Sequence, residues 1–165
     1  MTDKLFSVAG QIVLAVGASR GIGRALAAGF AERGAKVIIA GREPAVLETV
    51  AREISRDVPV EIGACDVSRE EDIHRLVADV MQRHGRIDTL LNVSGINVRK
   101  RVETYTSEEY DRIINTNQRG LFLSAQAAGR HMLAAGRGSI VNIDSLNTYS
   151  PLKGVTPYAM SKGAI

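Results

Sequence analysis

The 165-residue chain has one cysteine, Cys65, no tryptophan and only 4% aromatic residues. A lone thiol excludes an internal disulfide, so the fold must be held by its core. The thiol suits a reducing compartment, and a cytoplasmic location is expected. Its place at the end of a predicted strand reads as a small buried hydrophobe rather than a nucleophile. No apolar run approaches the length of a membrane span, and no membrane partner is expected. Asp3 and Gln11 break up the apolar residues ahead of a glycine turn, which argues against a signal peptide. Charge of one sign is also missing: 21 Lys and Arg face 18 Asp and Glu, a net charge of +3. The basic residues are spread along the chain, so no nucleic-acid partner is expected, although the balance suits an anionic cofactor or substrate. His74, His84 and His131 are scattered, and no metal site is expected. With 45% apolar and 24% charged residues, the chain has the composition of a soluble domain with a substantial core.

What is present is alternation. Short apolar runs at 11–16, 36–40, 60–64, 89–92 and 139–143 read as strands. Between them, helical spacing covers 22–33, and Pro44 suits the first turn of a helix to about Asp57. Ser68-Arg69-Glu70-Glu71 reads as a capping box for a helix to about His84. Thr106-Ser107-Glu108-Glu109 reads as a second box, opening one long helix to about Ala135. Thr156-Pro157 reads as a cap and first helical residue, so that Tyr158 opens a helix. Strand and helix in turn predict an α/β fold, a parallel sheet covered on both faces, as a single domain over 1–165. The chain stops at Ile165, barely two turns into the last helix and without a stop signal, so a missing C-terminal part is expected.

Gly17-Ala18-Ser19-Arg20-Gly21-Ile22-Gly23 joins the first strand to the first helix. Gly17 permits a tight turn, Gly21 lets a pyrophosphate approach the backbone, and Gly23 lets the helix pack close to the sheet. The helix N-terminus offers free N–H groups and a favourable dipole to phosphate. The turn as a whole, Ser19, Arg20 and Ile22 included, is a candidate cofactor cradle. The end of the second strand faces the adenosine ribose in such folds, where a carboxylate selects NAD. Here Gly41 and Arg42 follow instead, and Arg20 stands nearby in the turn. Two guanidiniums without a carboxylate suit a 2′-phosphate, which favours NADP, with NAD possible. The alternative is two solvated arginines.

Tyr158-Ala159-Met160-Ser161-Lys162 places a phenol and an ammonium on one helix face. Ser145 lies thirteen positions before Tyr158, just beyond the fifth strand, and Asn117 lies in the long helix. With the Gly-x-x-x-Gly-x-Gly spacing, these residues resemble the short-chain dehydrogenase/reductase family over essentially all of the chain. The resemblance implies a Rossmann-type doubly wound sheet and a catalytic set of Asn117, Ser145, Tyr158 and Lys162. It implies that Asp66 and Val67 contact adenine, and that Asn92, Gly95, Tyr158 and Lys162 also meet the cofactor. Val93 and Ser94 depart from the family's usual Asn-Ala, and Val16 replaces a common Thr. An ordinary phenol, with a pKa of about 10, is a poor base at neutral pH. A neighbouring ammonium and an oxidised nicotinamide both favour phenolate. Tyr158 could then take the substrate's hydroxyl proton as hydride leaves carbon, or return it in reduction. Lys162 would also hold the nicotinamide ribose, Ser145 would orient the substrate oxygen, and Asn117 would support a water linking Lys162 to solvent.

Segments 127–132 and 140–146 resemble sugar-acid members of the family, such as gluconate 5-dehydrogenase and 2-deoxy-gluconate 3-dehydrogenase. An NAD(P)-dependent oxidoreductase acting on a small hydroxy or keto substrate, a sugar acid or polyol, is therefore expected. The basic Arg99-Lys100-Arg101 could hold a carboxylate, or be a solvated loop. A 3-oxoacyl-acyl-carrier-protein reductase would share every catalytic residue. A nucleotide-binding or assembly module without catalysis is the alternative of another class. The resemblance also implies a homo-oligomer, often a tetramer, when full length.

Overall fold

Five strands form one parallel sheet in the order β3-β2-β1-β4-β5. The computed structural model describes residues 6–165, so Asp3 and its bearing on a signal peptide lie outside the described residues. The strands are β1 (Ile12–Val16), β2 (Lys36–Gly41), β3 (Glu61–Ala64), β4 (Thr89–Asn92) and β5 (Ser139–Asn142). The helices are α1 (Gly21–Glu32), α2 (Pro44–Ile54), α3 (Glu70–His84), α4 (Ser107–Ile114), α5 (Gly120–Ala134) and α6 (Thr156–Gly163). All five residues of β1 are buried, as expected of a central strand covered on both faces. Alternate side chains feed two cores. Ile12, Leu14 and Val16 pack with Ile73, Leu76 and Val80 of α3 and Leu123 of α5. Val13 and Ala15 pack with Ala27 of α1 and Leu47, Val50 and Ile54 of α2. Strand order reverses at β1, and the crevice beyond the carboxyl ends of β1 and β4 is where such sheets bind ligands. β5 lies at the edge of the described sheet, with all four of its residues exposed. No described helix is long and apolar enough to cross a membrane.

Two glycines fix the join between β1 and α1. Gly17 has φ +90°, and a Cβ there would lie 2.5 Å from Ser94 N. A Cβ on Gly23 would lie 2.3 Å from Gly17 O, so only glycine lets α1 sit this close to the turn.

Three expected helix starts or spans are corrected. Ser68 does not cap α3: the Asp66 carboxylate accepts from both its N–H (3.0 Å) and its hydroxyl (2.8 Å). α3 therefore begins at Glu70, and Asp72 reaches back to accept from Asp66 N at 3.0 Å. Thr156 is already helical rather than a cap, because Ala159 N donates to Val155 O and starts the helix one residue earlier. The long helix after Thr106 does open on the expected capping box, with Glu109 N donating to Thr106 Oγ1 and Thr106 N to Glu109 Oε2. It is interrupted by a π-turn over Asn115–Arg119, which separates α4 from α5.

At the opposite end of the sheet, the Asp88 carboxylate accepts from Ile12 N and Arg86 Nε, both at 2.8 Å. Burial works against its charge, but these two donors and Arg137 outweigh it, and its pKa is held below the usual aspartate value. A lowered folded-state pKa gives stability that is complete above the unfolded value and is lost as pH falls through the folded one. Asp88→Asn should therefore flatten the acid limb of a stability–pH curve below the ordinary aspartate range. Urea midpoints measured from pH 2 to pH 7 check this, and parallel curves for the two proteins would contradict it.

Candidate active site

The carboxyl ends of the strands enclose a cleft of about 510 Å³. Its floor is the β1–α1 turn, anchored by Gly17 N and Ala18 N donating to Ala40 O at 2.9 and 3.2 Å. Gly17, Ser19, Arg20, Ile22 and Gly23 line it from this turn. Arg20 precedes α1 with no side chain capping the helix, so the first-turn N–H groups are left for an anion. Gly21 is exposed, has φ +56° and does not line the cleft. Arg42 enters from the end of β2, Asp66 and Val67 from the end of β3, and Gly95 from the end of β4. Among the described residues, neither Arg20 nor Arg42 forms an ion pair, whereas most other arginines do. Cys65 lies in the same wall, and burial followed by the nearby Asp72 and Asp66 pushes its thiol up to about 12. It is therefore neutral and a poor nucleophile, as its position in the sequence led one to expect.

Asn92, expected to meet the cofactor, is 3% exposed and is not among the residues that line the cleft. Its Nδ2 donates to Asn142 Oδ1 at 3.0 Å, bracing β4 against β5. Asn117 is fully buried inside the π-turn rather than on a helix surface. Its Oδ1 accepts from Ile96 N at 2.8 Å, and its Nδ2 donates to Ile96 O (2.9 Å) and Ser161 Oγ (3.0 Å). One carboxamide thus ties the loop after β4 to α6.

Tyr158 and Lys162 both line the cleft from α6, with Lys162 Nζ 5.9 Å from the centre of the Tyr158 ring. Lys162 is 4% exposed, and its Nζ donates to Ile143 O at 2.6 Å. Burial lowers its pKa, and the charge of Asp144 opposes that effect. The Tyr158 hydroxyl has no hydrogen-bond partner among the described residues and is free for a ligand. Ser145 stands between two residues that line the cleft, Asp144 and Asn147. Its Oγ accepts from Asn147 N and Nδ2, both at 3.2 Å, which leaves its proton free to donate.

Sequence reasoning missed Ser161, which holds Asn117, and the cleft-lining Thr116, Asp144 and Asn147. It also treated Arg99, Lys100 and Arg101 as one cluster. Lys100 pairs with Glu109 and Arg101 with Glu103, whereas Arg99 has no ion pair among the described residues.

The model of the family described as short chain dehydrogenase matches residues 11–165. This chain belongs to the short-chain dehydrogenase family. It is 36% identical over 162 residues to gluconate 5-dehydrogenase of Gluconobacter oxydans (strain 621H), covering 98% of this chain and 63% of that protein. It is 33% identical over 164 residues to the NAD-dependent glycerol dehydrogenase of Listeria innocua, covering 99% of this chain and 63% of that one. Among solved structures, a metagenomic short-chain oxidoreductase in complex with NADP matches with a TM-score of 0.91 and 35% identity. That match covers 96% of this chain and 72% of the other. The chain thus spans slightly under two thirds of these two named dehydrogenases. The family's Rossmann-type sheet is the one described above.

The Asn117 clamp can be tested through stability. Asn117→Ala leaves the part-buried N–H and C=O of Ile96 and the Ser161 hydroxyl without this partner, and each lost hydrogen bond costs about 0.5–1.5 kcal/mol. The urea midpoint should fall accordingly with an unchanged m-value, and an unchanged midpoint would show the clamp to be idle.

Proposed function

We propose that this chain forms the nucleotide-binding catalytic domain of an NADP-dependent oxidoreductase that interconverts a secondary alcohol and a ketone on a sugar acid or polyol. The observation that carries this reading is the pairing of a free Tyr158 hydroxyl with a buried Lys162 amine in one cleft. At the other end of that cleft lies an uncapped helix N-terminus flanked by two arginines without an ion pair among the described residues. The residues fit a dinucleotide: the α1 N–H groups suit its pyrophosphate, and the close packing at Gly23 keeps that helix end open to the cleft floor. Arg20 and Arg42 would hold a 2′-phosphate with charged, forked hydrogen bonds. When bound, the nicotinamide would supply the hydride acceptor or donor.

The chain's own groups would handle the proton. Tyr158 Oη would take it from the substrate hydroxyl, or return it to the carbonyl oxygen in reduction. The Lys162 ammonium would favour the phenolate form needed for the first of these. Ser145 would donate its free hydroxyl proton to the substrate oxygen and so orient it. Asn117 would act at a distance from the reacting atoms, by fixing α6 against the loop after β4. The substrate class is supported by the relatives named gluconate 5-dehydrogenase and glycerol dehydrogenase. Arg99, alone of the three basic loop residues without an ion pair among the described residues, is the candidate for a substrate carboxylate.

Calorimetric titration with NADP and NAD, beside turnover of gluconate and of an acetoacetyl thioester, tests the reading. NADP should bind more tightly than NAD, and Arg20→Ala and Arg42→Ala should each lose about tenfold of that preference, as expected for one charged hydrogen bond. Tyr158→Phe should keep NADP affinity and lose about 10²–10⁴-fold in turnover. Tight binding without turnover would favour a binding module, and a preference for the thioester would favour a 3-oxoacyl-acyl-carrier-protein reductase.

A further inference from the structure

Lys162 is poorly placed to carry a positive charge. It is 4% exposed, and the acceptor holding its Nζ is a neutral carbonyl, Ile143 O. Several neutral groups lie near it. A Cβ built on Gly95 would lie 3.7 Å from Asn117 Oδ1 and 3.9 Å from Lys162 Nζ, which sets both side chains beside the same glycine. Thr116 and Asn97 line the cleft beside them. α4, which also packs on α6, buries Ile113. On α6 itself the titratable neighbour is Tyr158.

Asp144 differs from all of these. It directly follows the residue whose carbonyl Lys162 grips, and it lines the same cleft. Its carboxylate accepts from Thr148 Oγ1 at 2.7 Å, a bond that also keeps it ionised. It is joined by one peptide bond to the Ile143 carbonyl that Lys162 Nζ holds at 2.6 Å, which brings its charge close to the amine.

We propose that Asp144 is a positioning residue for Lys162: its carboxylate, tethered by Thr148, is the counter-charge that holds the buried amine on the Ile143 carbonyl. The pairing deepens the oxidoreductase reading and rests on it for its catalytic meaning, because the ammonium is what favours the Tyr158 phenolate. The sign is fixed by charge. Burial drives Lys162 toward the neutral amine and Asp144 opposes this, so removing the carboxylate lets Lys162 release its proton at lower pH.

The experiment follows the Lys162 Cε–Hε resonance by heteronuclear NMR across a pH titration, with the signal assigned by its loss in Lys162→Met. In 0.1 M salt, Asp144→Asn should titrate at lower pH than the unaltered chain, and Asp144→Ser should repeat the shift. Asp144→Glu, which keeps the charge, should recover part of it. The difference should shrink in 1 M salt, where the screening length falls from about 10 Å to about 3 Å. Asp144 is exposed, so these replacements leave the core intact. Equal midpoints in the unaltered chain, Asp144→Asn and Asp144→Ser would overturn the proposal. Turnover measured in parallel separates the two readings. A shifted midpoint without turnover keeps the pairing and removes the oxidoreductase; turnover with equal midpoints does the reverse.

Discussion

Segments far apart in the chain meet at one buried carboxamide. Asn117 holds both backbone groups of Ile96 and the hydroxyl of Ser161, so the loop after β4, the π-turn and α6 are mutually fixed. The π-turn makes this possible. In a regular helix each residue turns about 100° from the last, and the wider turn changes that phase locally. A buried polar group satisfied on both sides defines one arrangement, because any slip leaves donors and acceptors unpaired in a low-dielectric interior. The places of Tyr158 and Lys162 follow, since both ride on the helix that Ser161 anchors.

Charge divides the resulting cleft into two unlike ends. Near α1 it is open and cationic, with two guanidiniums that have no carboxylate partner among the described residues. Near α6 it holds a single buried amine, a phenol and one exposed carboxylate. The first end presents positive charge to the solvent. The second is sensitive to small changes in local charge, which suits proton transfer better than binding.

Much of this was legible in the sequence because the physics behind it is local. β1 reads as a strand because five apolar residues in a row satisfy a sheet buried on both faces. The Thr106 box reads correctly because its two hydrogen bonds close within four residues. The identical pattern at Ser68 misleads because Asp66, two residues earlier, competes for the same groups. The π-turn carries no distinctive spacing, so a single long helix was the natural expectation. Asn117, Ser145, Tyr158 and Lys162 could be picked out by motif, but the buried state of Asn117 and the partners of Lys100 and Arg101 depend on residues brought together only by folding.

β5 closes the described sheet with an open edge. Its outer row of peptide groups is unpaired within the described sheet, and Ile140 and Val141 are 39% and 41% exposed. Such an edge is a template for strand addition, and neither a lysine nor a proline interrupts it. An ionic residue placed on this strand would blunt that edge.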